Sequence, residues 1–282
     1  MNLFEIVKEL DNEFNIESYM DVWGRFDYYF EPLKPYLSND FMIRYSGLMI
    51  NNSKEIELII GATFLSQSLF EYIIQKDIHN ALVFTHHPLY QKVSDYSWED
   101  KLIIYASILK DRKISIYSCH LPFDEHRRYS TSYYMANSFL KEIEEDVTDE
   151  EGFLIGFKGL AKDNIIDLIN DISSEIMVYN QDDEIPNKVI CVPGGGLNTN
   201  FLRIAKKYGI DTYITGSARY KGKNAEMRNY ELIKTIEELD IKVICFGHYE
   251  SERIGVKRFI NEYFDDCKIK TIYFEDSSFS VQ

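Results

Sequence analysis

The sequence predicts an α/β protein built mainly on parallel strands. Two observations carry this. From residue 55 onward, short apolar runs rich in β-branched residues alternate with amphipathic segments. The runs are nearly continuous rather than alternating, as strands buried on both faces are. Such a β-α-β-α-β order implies right-handed crossovers and helices packed on the sheet. With 282 residues, 45% of them hydrophobic and 27% charged, the chain is long enough for about two domains with their own cores.

Leu3, Ile6, Val7 and Leu10 recur at helical spacing, so the chain opens with an amphipathic helix. Residues 20–48 are rich in aromatics (VWGRFDYYFEPLKPYL, then FMIRY) and read as core or subunit-interface packing, with no element assigned. IELIIGATF is a buried strand, followed by the helix SQSLFEYIIQ with Leu69, Tyr72 and Ile73 on one face. ALVFT is a second strand and ends at His86-His87. Ser97-Trp98-Glu99-Asp100 has the form of a capping box and opens a helix through Leu109. KISIYS is a third strand and ends at Cys119-His120; a helix carrying Tyr134, Phe139 and Leu140 comes after the HLPFDEH loop.

The acidic, glycine-ended stretch EIEEDVTDEEG (142–152) reads as a domain boundary. Beyond it the alternation resumes. FLIGFKGL, EIMVYN, KVICVPGGG, DTYITGS, KVICFGH and IKTIYFED are strands, and DNIIDLINDI, NFLRIAKKYG, ELIKTIEELD and GVKRFINEYF are helices.

Charge narrows the function classes. A formal net charge of −15 repels phosphate backbones and anionic lipid, which argues against a nucleic-acid polymer or a membrane as partner. A local basic pocket for one nucleotide remains compatible with it. Cys119, Cys191, Cys245 and Cys267 form no CxxC pair and read as small buried hydrophobes in a reducing compartment. The first residues lack a basic start and apolar run, and no stretch approaches the ~20 apolar residues of a membrane span. The expectation is a cytoplasmic protein.

Four of the six histidines share an address. His86-His87, His120 and His248 each lie at the carboxyl end of a predicted strand, the edge at which open parallel sheets bind ligands. Asp124 follows His120 by four residues and Glu252 follows His248 by four, an offset that returns a helical chain to the same side. Imidazole with carboxylate is a ligand set for zinc, iron or manganese. Carboxylates can bridge two ions, so two metals are expected rather than one. His79 lies at the opposite edge and reads as solvated; His126, followed by Arg127-Arg128, reads as a loop residue near the site. Pro193-Gly194-Gly195-Gly196 matches neither phosphate-loop pattern and reads as a tight turn that can face the same cleft, as can Thr215-Gly216-Ser217. No Gly-x-Ser-x-Gly elbow is present.

Thr85-His86-His87-Pro88, His120-Leu121-Pro122 with Asp124, and Gly247-His248-Tyr249 with Glu252 resemble the motifs of the Nif-three-like dinuclear metal protein family, often labelled GTP cyclohydrolase type 2 homologues. Cys191 with its glycine turn and the Asp211–Gly216 segment are lesser matches, and the similarity covers roughly residues 55 to 260. The resemblance implies a Nif-three-like fold: two similar α/β lobes, with the metal site between them. The lobes are expected at 1–145 plus about 240–282, carrying most ligands, and at about 150–239. It implies two divalent metal ions per chain (zinc, iron or manganese) with His86, His87, Asp124, His248 and Glu252 as ligands and Glu252 as the bridge. His120 is then an additional or orienting ligand, or the catalytic acid/base. A homohexamer built from dimers and the compact form of the fold are also implied.

Three segments depart from the family pattern. The usual Asp-Asn-x-Gly-Leu has Tyr45-Ser46-Gly47-Leu48 as its nearest counterpart, the Asp-bearing first strand reads Ile60-Gly61-Ala62-Thr63, and Thr-Gly-Glu reads Thr215-Gly216-Ser217. The expected activity is metal-dependent hydrolysis of a small, nucleotide-like substrate. For GTP, water would add at C8 of the purine and the opened ring would lose formate. A non-catalytic metal-binding scaffold and a metal-dependent phosphoesterase are the alternatives.

Overall fold

The computed structural model describes residues 1–21, 31–89, 97–180, 186–222 and 224–279, with backbone alone for 97–100. The chain divides into two compact units. One comprises Met1–His126 with Val256–Gln282, and the other Arg127–Gly255. Each has its own sheet with helices packed on it.

In the first unit, helix α1 (Leu3–Glu13) is capped by Asn2, whose side chain accepts from the Phe4 amide, and it buries Leu3, Ile6, Val7 and Leu10 as their spacing predicts. Two 3₁₀ turns (Ile16–Ser18 and Glu31–Tyr36) and helix α2 (Asn39–Arg44) lead to strand β1 (Gly47–Ile50). Leu33, Phe41 and Tyr45 from this aromatic-rich stretch enter the core, while Met20 and Ile43 are exposed. Then come β2 (Leu58–Phe64), α3 (Gln67–Gln75), β3 (Ala81–His87), α4 (Ser97–Asp111), β4 (Ile114–Ser118), the single turn α5 (Leu121–Asp124) and, near the end of the chain, β11 (Lys270–Tyr273). Helix α4 begins at the expected cap, although the capping side chains lie outside the described residues.

The sheet order is β1-β4-β3-β2-β11. All neighbours are parallel except β1 against β4. Ile59, Ile60, Leu82, Val83, Ile114 and Ile116 are fully buried, each contributing roughly 1.5–3 kcal/mol of hydrophobic stabilisation. Register sets where the strands stop. Ala62 pairs with Thr85 and Thr85 with Ser118, where β4 stops, while β2 and β3 run two residues further and pair Phe64 with His87. The end of β3, His86-His87, therefore lies beside the Cys119-His120 exit of β4.

The second unit contains α6 (Thr131–Phe139), β5 (Leu140–Thr148), β6 (Leu154–Ala161), α7 (Ile165–Ile172), β7 (Met177–Tyr179), β8 (Lys188–Val192), α8 (Thr199–Lys207), β9 (Thr212–Thr215), α9 (Ala225–Leu239), β10 (Lys242–Cys245) and the start of α10 (His248–Tyr263). Its sheet order is β5-β6-β8-β9-β10-β7. The β8, β9 and β10 core is parallel, and the outer strands are antiparallel.

The acidic stretch expected to be a boundary is instead part of this sheet. Helix α6 stops at Phe139, and Leu140–Thr148 runs directly into an edge strand with Leu140 and Val147 buried. One of its exposed acids, Glu145, pairs with Lys158 on the neighbouring strand at 2.5 Å. Charged side chains along an edge also discourage pairing with other chains. Both β5 and β10 lie in this second unit, so its limits differ from the lobes expected at about 150–239. No helix among the described residues is long and apolar enough to cross a membrane.

Candidate metal centre

The first unit gathers three imidazoles where β3 and β4 end. Ring centroids are 4.6 Å apart for His86–His87, 4.9 Å for His86–His120 and 4.7 Å for His87–His120. One ligand atom from each lies within 4.8 Å of the others. Phe64, opposite His87 in the β2–β3 register, packs its ring 4.6 Å from the His87 ring and supports it.

His86 is buried, and its Nδ1 lies 3.0 Å from the Cys119 carbonyl. A carbonyl only accepts, so Nδ1 carries the hydrogen and Nε2 the lone pair. That Nε2 faces Asp124 Oδ2 at 3.5 Å. Two donors about 2.1 Å from one ion at the tetrahedral angle stand roughly 3.4 Å apart, so this spacing fits a pair of ligands.

The expected His120–Asp124 partnership takes a different form. The Asp124 amide bonds the His120 carbonyl at 3.0 Å, which makes the turn, but the Asp124 carboxylate turns to His86. His120 Nδ1 instead meets Asp21 Oδ2 at 2.8 Å. Asp21 was not legible as a site residue. Its only sequence signal is an acid at the head of an aromatic-rich run, and it reaches the site from 99 positions away.

The second unit presents a histidine–carboxylate pair. His248 is the first residue of α10 rather than the last of a strand, because β10 stops at Cys245. Glu252, one turn on and 4% exposed, places Oε1 2.9 Å from His248 Nε2. The other ring nitrogen, Nδ1, lies 3.3 Å from Ser217 Oγ. The glycine turn after β8 closes over this pair. Gly194 adopts φ +63°, and a Cβ there would sit 2.0 Å from Glu252 Oε1. Ser251 Oγ accepts from the Gly194 amide and donates to the His248 carbonyl, both at 2.9 Å. The Ser217 amide bonds the Gly194 carbonyl at 2.8 Å. Three separated segments are thus interlocked around His248 and Glu252.

A family model described as Duf34/NIF3 (NGG1p interacting factor 3) matches residues 42–277. The chain belongs to the Duf34/NIF3 family. All six expected site residues fall inside the matched stretch, and Asp21 falls outside it. A relative from Archaeoglobus fulgidus named GTP cyclohydrolase 1 type 2 homolog is 27% identical over 278 residues, covering 98% of each chain. One of the same name from Pyrococcus horikoshii is 22% identical over 245 residues, 82% of this chain and 89% of its own. Among solved structures, protein ybgI, described as of unknown function, shares the fold with a TM-score of 0.70 at 16% identity over 98% of both chains. Reduced HcgD from Methanocaldococcus jannaschii does so with a TM-score of 0.66 at 18% identity, also over 98% of both chains.

The chemistry of the donors in this NIF3 chain suits a divalent ion. In both units a histidine is anchored through Nδ1 to an oxygen and turns Nε2 to a carboxylate, as outer partners commonly arrange ligating histidines. Among the described residues, the donor groups that converge contain no cysteine. Burial, reinforced by the carboxylates of Asp124 and Asp21, holds the Cys119 thiol well above its usual range, so it stays protonated beside the site. Burial likewise raises the Cys191 thiol and pushes Cys245 up to about 12. The remaining histidines have structural partners. His79 pairs with Asp77 at 3.2 Å, and His126 lies 3.2 Å from Glu13 with its ring edge-on to Phe14.

Proposed function

We propose that this Duf34/NIF3 chain is a dinuclear metal-dependent hydrolase that acts on a nucleotide-like substrate in the manner of a cyclohydrolase. His86, His87, Asp124, His248 and Glu252 would hold the two ions, with His120 as an additional ligand. The observation that carries the reading is the repeated arrangement of an Nδ1-anchored histidine whose Nε2 meets a carboxylate, found once in each unit. Such a set accepts zinc, iron or manganese, the choice following availability. When bound, paired divalent ions lower the pKa of water and polarise the bond under attack.

The chain's own residues prepare that chemistry. Cys119 and Ser217 fix the rings of His86 and His248 by their Nδ1 atoms, so neither ring needs to reorient. The nitrogen cluster with His86 and His87 favours a ligand role for His120 over the acid/base role. Arg219 and Lys221, both exposed, follow Ser217 on the loop leaving β9. In a chain of net charge −15, this local positive charge favours a substrate bearing phosphate. The relatives' shared name, GTP cyclohydrolase 1 type 2 homolog, supports GTP as the first substrate to assay. The reading includes the homohexamer and a cytoplasmic location.

The test is metal content per chain, by elemental analysis of gently purified protein and of His87→Ala, followed by formate release from GTP with each metal. About two ions per chain, reduced in the variant, support the dinuclear centre. No metal after incubation with zinc, iron or manganese overturns it. Ser217, where the family pattern has glutamate, favours a second reading: a metal-binding scaffold without turnover. There, Glu252→Ala would abolish metal and partner binding while no substrate is ever consumed.

A further inference from the structure

We infer that Asp21 is a positioning residue of the metal centre: it holds His120 in the tautomer that leaves Nε2 available as a ligand. The inference rests on the metal-centre reading above, and extends it to a residue outside the family-matched stretch 42–277.

Asp21 is fully buried. A carboxylate at that depth needs strong compensation by donors. Two converge on the same oxygen, Oδ2: His120 Nδ1 at 2.8 Å and the Leu121 amide at 3.0 Å. The donors belong to adjacent residues. One carboxylate oxygen therefore fixes both the His120 ring and the backbone that carries it. Asp21 is itself held in place, since its amide donates to the Arg44 carbonyl at 2.9 Å.

A carboxylate oxygen accepts, so the hydrogen of a neutral His120 sits on Nδ1 and the lone pair on Nε2. The His120 ring is already among those of His86 and His87, with one ligand atom of each within 4.8 Å of the others. Hydrogen bonding from the ligand's far nitrogen to a carboxylate orients the ring and raises its basicity.

The test uses full-length protein stripped of metal, with Asp21→Asn and Asp21→Leu. Zinc affinity is read by competition with a chromogenic chelator. The tautomer of His120 is read from long-range proton–nitrogen NMR spectra of histidine-labelled protein, assigned with His120→Gln. The wild type is expected to show hydrogen on Nδ1, and zinc to shift the His120 Nε2 resonance. Asp21→Leu, which has no acceptor, is expected to lose about 10–100-fold in zinc affinity and to populate both tautomers, and Asp21→Asn, whose Oδ1 still accepts, to lose less and keep the wild-type tautomer. Wild-type zinc affinity and an unchanged His120 signal in Asp21→Leu would overturn the inference and leave the metal centre standing. So would a wild type whose His120 carries its hydrogen on Nε2, a result that needs no variant to fold. A wild type that takes up no zinc, iron or manganese would instead remove the metal centre itself, and the inference with it.

Discussion

Gly194 and Glu252 compete for one volume. The backbone of the turn after β8 passes so close to the carboxylate that a Cβ at position 194 would lie 2.0 Å from Oε1 and 3.4 Å from His248 Nε2. Gly194→Ala is therefore expected to push Glu252 off His248 and to strain a φ of +63°, at about 1–3 kcal/mol of stability. Zinc affinity should fall by more than tenfold in a chelator competition. Wild-type affinity in a folded Gly194→Ala variant would mean that Glu252 is not a ligand.

The His86–Asp124 spacing makes a separate prediction. Asp124→Asn keeps the side chain's shape but replaces the anionic oxygen beside His86 Nε2 with a neutral amide. Metal content by elemental analysis should drop, while melting of the metal-free protein should change by less than ~1 kcal/mol, since Asp124 is only partly buried. A large loss of metal-free stability with full metal content would make Asp124 a structural residue instead.

Two exposed cations should matter for substrate and not for metal. Arg219→Ala with Lys221→Ala is expected to raise KM for an anionic nucleotide several-fold, with metal content unchanged and the effect fading as salt rises. Equal KM at low salt for the variant and the wild type would place phosphate recognition elsewhere.

Asp11 predicts a pH dependence of stability. Burial raises its pKa above the usual carboxylate value, against the opposing hydrogen bond from Tyr117. The folded state thus binds this proton more tightly than the unfolded chain. Its contribution is fully present below the unfolded pKa and is lost as pH rises through the folded one. Asp11→Asn should accordingly raise the melting temperature at pH 7 and lose that advantage near pH 4. A variant less stable than wild type at pH 7 would show that the ionised carboxylate is the favoured partner of Tyr117.

The buried thiols should be inert. With Cys119, Cys191 and Cys245 buried and their thiols raised, a thiol reagent at pH 8 should label Cys267 in native protein and the others only on unfolding. Mass spectrometry of tryptic peptides reads this directly. Rapid labelling of Cys119 in the native state would show that the floor of the histidine cluster opens.

Much of this arrangement was legible in particular residues. The buried runs ending in His86-His87 and Cys119-His120 mark parallel strands, because only strands covered on both faces are apolar throughout. The four-residue offset from His248 to Glu252 places both on one helix side, a local consequence of helical repeat. The same offset after His120 brings Asp124 to the site but does not say which histidine its carboxylate meets. A single turn brings the backbones together but leaves side-chain direction to the neighbours, and His86 lay within reach. The acidic stretch 142–152 misled because charge on an edge strand and charge in a linker look alike along the chain. Only the pairing of Leu140–Thr148 with β6 tells them apart.

By itself, the sequence determined the α/β class, the strand ends at which chemistry could be placed, the family motifs and the types of donor offered. These depend on hydrophobic periodicity and on residue identity, which are local. The tertiary structure alone decided which nitrogen of His86, His120 and His248 is anchored, that Asp124 faces His86, that Gly194 must lack a side chain, and that Asp21 meets His120. Those are contacts between residues tens of positions apart. They arise from strand register and the packing of turns against helix starts, which no local pattern encodes.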